Sequence, residues 1–197
     1  MTTSTLLLRP SALPDLPAIT AIYAWNVRSG TGTFELDAPD EAEMARRREA
    51  VLSNGWPWLV AERQTEGMGG GVGEVVGEVV GEVVGYAYAN HFRPRRAYRF
   101  CVEDSIYLAP QAAGQGVGKL LLAELLAQCE ARGARQMLAV IGDSANTASI
   151  AVHRALGFEV TGKLTAAGWK FDRWLDVVLM QRNLGQGTAS APTDTAP

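Results

Sequence analysis

At 197 residues, with 47% hydrophobic and 20% charged residues, the chain has the length and composition of one globular domain with a substantial core. A net charge of −3 gives no basic surface for a nucleic acid, and the two cysteines, Cys101 and Cys129, lack the spacing of a disulfide framework or a metal site. No stretch approaches the ~20 apolar residues that span a bilayer, and Leu6–Leu8 runs at once into Arg9 and Pro10 instead of extending as a signal peptide. The expectation is a reduced, cytoplasmic protein that needs no metal and meets neither membrane nor nucleic acid.

Leu6 to Arg9 reads as a first short strand. Asp15 opens a helix with Leu16, Ile19, Ile22 and Tyr23 on one face. Ser29–Glu35, Ser-Gly-Thr-Gly-Thr-Phe-Glu, is a glycine-interrupted loop able to carry Phe34 toward a pocket. Asp37, Pro39 and Asp40 begin a charged helix ending near Leu52, with Arg46, Arg47 and Arg48 assigned to its solvated face. Trp56–Glu62 reads as a strand. From Gly67 to Val84 the chain repeats Gly-Glu-Val-Val three times, too short a unit for a solenoid. Residues 66–81 therefore read as a lengthened hairpin loop, cheap because closure entropy grows only logarithmically, with Glu82–Tyr88 as the strand proper. Identical copies leave the strand register open.

Asn90–Tyr98 is a basic loop containing His91, Arg93 and Arg95. The stretch Glu103–Lys119 then organises the rest. Ser105–Leu108 alternates as a strand, Pro110 ends the ladder, and Gly114, Gly116 and Gly118 precede a helix whose Leu121, Leu122, Leu125, Leu126 and Cys129 share a face. A glycine-rich turn at a helix N-terminus offers unpaired amides and the positive end of a dipole, which suits a phosphate. The P-loop pattern fails twice, at Ala113 and at Leu120, and neither glycine pair completes Gly-x-Gly-x-x-Gly, because positions 119 and 121 are lysine and leucine. Gln136–Ile141 reads as a buried strand. Asp143, Ser144 and Asn146 offer caps for a helix to Leu156, with Gly157 past its end. Phe158–Lys163 and Trp174–Gln181 form a last antiparallel pair, and the tail 185–197 has the composition of a disordered segment.

Gly-x-Gly-x-Gly followed by a basic residue, after a strand and a proline turn, resembles the pyrophosphate motif of the GNAT superfamily of acetyl-CoA-dependent N-acetyltransferases. Ala113 departs from the usual Gln or Arg and removes one side-chain donor. Further blocks resemble the phosphinothricin and methionine sulfone/sulfoximine branch: Gly30-Thr-Gly-Thr-Phe-Glu, Val102-Glu-Asp-Ser-Ile-Tyr, Ala139-Val-Ile-Gly, Asn146 with Ile150 to Phe158, and Lys170-Phe-Asp-Arg-Trp-Leu-Asp. They run in order over residues 6 to 183, interrupted only by the repeat.

The resemblance implies a single α/β (α+β) domain over residues 1–184, a mixed and mostly antiparallel sheet splayed into a V and flanked by helices, with acetyl-CoA wedged in the splay. It implies a cradle of Gly114, Gln115, Gly116, Val117, Gly118 and Lys119, contacts from the amides of Ile106, Tyr107 and Leu108, and a further one from Asn146. Glu103 matches the proposed base, acting directly or through water, a role worth about 10²–10⁴-fold. His153 stands where many relatives carry the tyrosine that protonates the departing thiolate. Phe34, Arg93, Arg95, Glu103 and Ser105 fall where the branch lines its substrate pocket. A small amino-acid-like amine as substrate and a homodimer follow from the same resemblance. Two alternatives remain: a peptide N-terminal acetyltransferase, which would want an open acidic groove, and a non-catalytic acetyl-CoA-binding module.

Overall fold

The computed structural model describes residues 4–66 and 79–192. In chain order the elements are β1 (Ser4–Pro10), α1 (Leu16–Ser29), α2 (Glu41–Ser53), β2 (Trp58–Glu66), β3 (Val79–His91), β4 (Cys101–Leu108), α3 (Val117–Ala131), β5 (Gln136–Gly142), α4 (Thr147–Ala155), β6 (Glu159–Lys170) and β7 (Arg173–Asn183). The seven strands form one sheet in the order β1-β2-β3-β4-β5-β7-β6. Every neighbouring pair is antiparallel except β4 and β5.

That parallel pair holds only from Cys101↔Gln136 to Glu103↔Leu138. Beyond it β4 continues against β3 alone, through Gly85↔Leu108, and β5 continues against β7, through Gly142↔Val177. The sheet thus opens into a V immediately after Glu103, and among the described residues no strand lies beside the internal edge of β4.

Side-chain alternation along β4 sorts its residues onto the two faces. Tyr107 meets Tyr23 of α1 edge-on at 4.8 Å, which puts Glu103, Ser105 and Tyr107 on the α1 face. Asp104 reaches His153 of α4, which puts Asp104, Ile106 and Leu108 on the α3/α4 face. The core is built on both faces, with Ile19, Trp58 and Tyr86 on the first and Leu121, Leu125 and Met137 among its fully buried members.

Several expectations change. The repeat does not leave the register open. Glu62 pairs with Val83 across a bulge at Ala61/Glu62, and Tyr86 is fully buried opposite Val60. A slip by one four-residue copy would put Glu82 in the place of Tyr86, and burying an unpaired carboxylate forbids it. The strand begins at Val79, inside the repeat, and residues 67–78 lie outside the described residues. Of the three arginines assigned to solvent, Arg46 pairs with Glu43, but Arg47 pairs with Glu35 at 2.7 Å and Arg48 is buried on Ser11. The closing hairpin is longer than Phe158–Lys163 and Trp174–Gln181, because Phe171 and Asp172, both at φ +53°, make a two-residue turn. Phe-Asp lacks the Asn-Gly signature of such turns, so composition gave no sign of it. The tail is described as far as Pro192, with turns over 185–188 and the Arg135 guanidinium donating to Ser190 Oγ and the Ala191 carbonyl.

Candidate active site

The mouth of the V is a cleft of about 950 Å³. One wall is β4 from Glu103 to Leu108, the other is Ala139–Ile141 of β5, and Gly30–Gly32 close it on the α1 side. Gly114, Gly116, Gly118 and Lys119 line one end; Asn146, Ser149 and His153 line the α4 side.

Gly114 and Gly116 adopt left-handed conformations, φ +74° and +81°, that favour glycine. A Cβ placed on either would meet nothing within 4 Å, so the turn presents its backbone to open space. The first intrahelical bond of α3 runs from the Leu120 amide to Gly116 O at 3.2 Å; the amides of Gly116 to Lys119 come before it, in the turn a helix cannot satisfy internally. Val117 turns its side chain into the core, where it is 3% exposed, so its contribution here is its amide. The Gln115 side chain is held away from the cleft by Arg63 at 2.7 Å and by the Gln111 carbonyl at 2.6 Å. Asn146 caps α4 by accepting from the Ser149 amide and donates to Gly142 O at 3.1 Å, while still lining the cleft. Capping and cleft lining coexist in that residue.

Glu103 sits where the two parallel strands part. Burial pushes its carboxyl up, the Asp104 charge adds to this and Arg93 opposes it, leaving a pKa of about 6. Such a group is an ionised proton acceptor at neutral pH that a substrate ammonium can reprotonate. Ser105 beside it is hydrogen-bonded to Tyr88.

His153 is 4% exposed. Its Nδ1 lies 2.7 Å from Ser149 O and its Nε2 lies 3.0 Å from Asp104 Oδ2. Both partners accept, so the ring is satisfied with a proton on Nδ1 and another between Nε2 and Oδ2. Burial alone would lower the imidazole pKa, but the Asp104 hydrogen bond and charge, with the Ser149 carbonyl, outweigh it and leave the pKa raised. Both nitrogens are thus engaged with protein, and the ring lies on the face of β4 opposite Glu103. His91 accepts from the Trp56 indole at 3.2 Å and does not line the cleft.

The remaining expected pocket residues divide. Phe34 does not line the cleft; its ring is wedged where a Cβ on Gly142 or Gly168 would collide with it. Arg93 stacks on Phe92 at 4.9 Å and its charge reaches Glu103, whereas Arg95 is exposed at the head of a short turn over Arg96–Tyr98. Sequence reasoning passed over Asp104 and Lys170. For Asp104 the signal was present, since an acid at a core-facing strand position requires a partner. Lys170, though 4% exposed, sits in a hairpin that carries no such cue. Among the described residues, no group of three or more His, Cys, Asp or Glu is placed to hold a metal ion.

Chemically, the cleft joins a turn of amides that the helix leaves unsatisfied, a strand edge without a ladder partner and a half-buried carboxylate in one continuous space. A long ligand with a phosphate end can lie along β4 with its far end at Glu103.

Comparison with known proteins agrees with this geometry. Residues 22–158 match the family model described as Acetyltransferase (GNAT) family. The chain is 52% identical over 178 residues to a phosphinothricin N-acetyltransferase of Alcaligenes faecalis, covering 90% of this chain and 82% of that one. It is 37% identical over 185 residues to an L-methionine sulfoximine/L-methionine sulfone acetyltransferase of Pseudomonas paraeruginosa, covering 94% and 98%. Among solved structures it is similar to a phosphinothricin acetyltransferase of Sinorhizobium meliloti in complex with AcCoA, with a TM-score of 0.84, 48% identity, and 98% and 95% of the two chains covered.

Proposed function

Because the chain belongs to the acetyltransferase (GNAT) family, we propose that it acetylates the amine of a small amino-acid-like acceptor of the phosphinothricin or methionine sulfoximine/sulfone kind, with Glu103 as the base. It is an acyltransferase with acetyl-CoA as cosubstrate, and the residues present fit that donor. The open, left-handed turn at Gly114 and Gly116 suits a diphosphate, and the free edge of β4 suits an amide-bearing arm: Ile106 and Leu108 turn their amides to it, while Tyr107, in register with Tyr86, bonds β3 and contributes its place in the wall. Lys119 and Asn146 stand at either side of the same cleft. Acetyl-CoA supplies an activated acyl carbon; the rest of the work falls to the chain. Amides of the free β4 edge donate to the oxygen that gains charge during transfer. Glu103 takes the proton that leaves the acceptor amine, directly or through water, as the C–N bond forms and the C–S bond breaks; coenzyme A leaves as thiolate and is protonated from solvent, and Arg93 meets the acceptor's acidic end.

The observation that carries the reading is the position of Glu103, half-buried at the apex of the V with its carboxyl raised to about 6. The test is thiol release from acetyl-CoA over a panel of phosphinothricin, methionine sulfone, methionine sulfoximine, common amino acids and short peptides. Turnover with the first three well above the rest supports the reading. Preference for peptides would move the assignment to an N-terminal acetyltransferase, and binding of acetyl-CoA without turnover of any amine would leave a binding module.

Gly116→Ala tests the cradle separately. An alanine at φ +81° costs about 1–2 kcal/mol, and its methyl would occupy the open space before the amides. Acetyl-CoA affinity by calorimetry should fall about tenfold or more, equivalent to about 1.4 kcal/mol, with the amine KM little changed. Unchanged affinity would place the diphosphate elsewhere.

A homodimer in the cytoplasm belongs to the same proposal. Trp169, Phe171 and Trp174 at the β6–β7 end are 53%, 47% and 63% exposed, an apolar surface of the kind a second copy covers. Light scattering should report twice the chain mass; a monomer at micromolar concentration would end that part of the reading. None of the described helices is long and apolar enough to cross a membrane.

A further inference from the structure

We propose that Lys170 is a positioning residue for acetyl transfer, its buried ammonium fixing the Gly30–Glu35 loop against β6 so that the loop sets how the acceptor amine approaches Glu103. The inference rests on the reading of the cleft as an amine acetylation site.

Lys170 ends β6 and is 4% exposed. Its Nζ donates to Thr33 O at 2.8 Å and to Gly30 O at 3.0 Å, two carbonyls of a loop about 140 residues away in sequence. Burying an ammonium is costly, and burial lowers its pKa against the opposing charge of Glu35. A methionine would fill the same volume without that cost, but it would leave two inward-facing carbonyls without donors. The lysine is therefore best understood through what it holds.

Two more fastenings hold the same loop. Thr31 Oγ1 donates to Gly142 O at 3.1 Å, at the end of β5. The Phe34 ring fills the space that Gly142 and Gly168 leave by having no Cβ, so neither glycine tolerates a larger residue without moving the ring. The loop is thereby tied to both β5 and β6, and its Gly30–Gly32 segment forms a wall of the cleft.

A further path leads from the loop to the β4 wall. Thr33 Oγ1 is 2.9 Å from the Tyr23 hydroxyl, which also donates to Glu35 at 2.9 Å. The Tyr23 ring stands edge-on to Tyr107, on the same β4 face as Glu103. Releasing the Lys170 bonds loosens Gly30–Gly32 directly and Tyr107 through Tyr23. Misplacement of about 1 Å costs up to ~10²-fold in rate when reacting groups must align.

Lys170→Met and Thr31→Val, the second removing the Gly142 bond without changing shape, are compared with wild type by amide hydrogen exchange, by acetyl-CoA calorimetry and by steady-state kinetics on the amine. For Lys170→Met, exchange across residues 30–35 should accelerate about tenfold, and amine kcat/KM should fall about tenfold, mainly in kcat, with acetyl-CoA affinity within about twofold. Thr31→Val should show the same pattern more weakly, and it carries the test if Lys170→Met does not fold. Unchanged exchange in the loop overturns the clamp. Faster exchange with unchanged amine kinetics, or an equal loss of amine and acetyl-CoA binding, reduces Lys170 to a structural residue and overturns the positioning role. If wild type acetylates no amine, the proposed function fails, while loop exchange and acetyl-CoA binding in the variants still decide whether the clamp exists.

Discussion

Glu103→Gln is expected to lower kcat by about 10²–10⁴-fold while acetyl-CoA affinity stays within about twofold. Glutamine keeps the shape and hydrogen-bonding reach of the side chain but has no basic oxygen, so the variant removes proton acceptance and little else. The pH profile gives the sharper signature. Glu103 must be ionised to act, and its carboxyl is held at about 6 by burial, by Asp104 and, in opposition, by Arg93. Wild-type kcat/KM should therefore fall about tenfold per pH unit below 6 and level off above it, and the Gln variant should lose that acid limb. Free thiol detection measures both. A Gln variant within about threefold of wild type, or one retaining the limb, would remove Glu103 from proton transfer.

Much of this site can be read from residue order because its parts are local. The Gly114–Gly118 turn, the strand before it and the helix after it are contiguous, and their conformations follow from glycine and proline chemistry. Asn146 as a cap and Gly157 at φ +82° follow from the same short-range rules. What is not legible joins distant segments. The division of β4 into two faces is set by Tyr23 and His153, which approach it from opposite sides and come from segments far away in sequence. The loop that carries Phe34 lines the pocket, yet the Phe34 ring turns the other way into space left by Gly142 and Gly168. The repeat shows the reverse case. Four-residue periodicity suggested freedom of register, and tertiary burial of Tyr86 removed it.

His153→Ala should be the most destabilising single truncation in the site, and its contrast with Asp104→Asn identifies what the pair does. Removing the imidazole leaves the Asp104 carboxylate buried, with Oδ2 stripped of its partner and Oδ1 already without one. Breaking a buried pair from one side costs about 3–5 kcal/mol. In a domain of this size that is about 6–20 °C of melting temperature. Asp104→Asn keeps the volume: its amide donates to Nε2 while the neutral ring still donates from Nδ1 to Ser149 O, so the cost falls to about 1–2 kcal/mol. The pH dependence has a defined sign. The folded-state pKa of His153 lies above its ordinary value of about 6.5, so its stabilisation is complete below that pH and is lost as pH rises through the raised value. The deficit of His153→Ala should therefore be largest in mild acid and shrink toward alkaline pH. Asp104→Asn also removes an anion that raises the Glu103 carboxyl, so the acid limb of its kcat/KM profile should move below 6. Thermal melts from pH 5 to 9 and one pH–rate series check both statements. A stable His153→Ala protein would refute a buried ion pair, and an unmoved limb in Asp104→Asn would break the electrostatic link across β4 between the two acids.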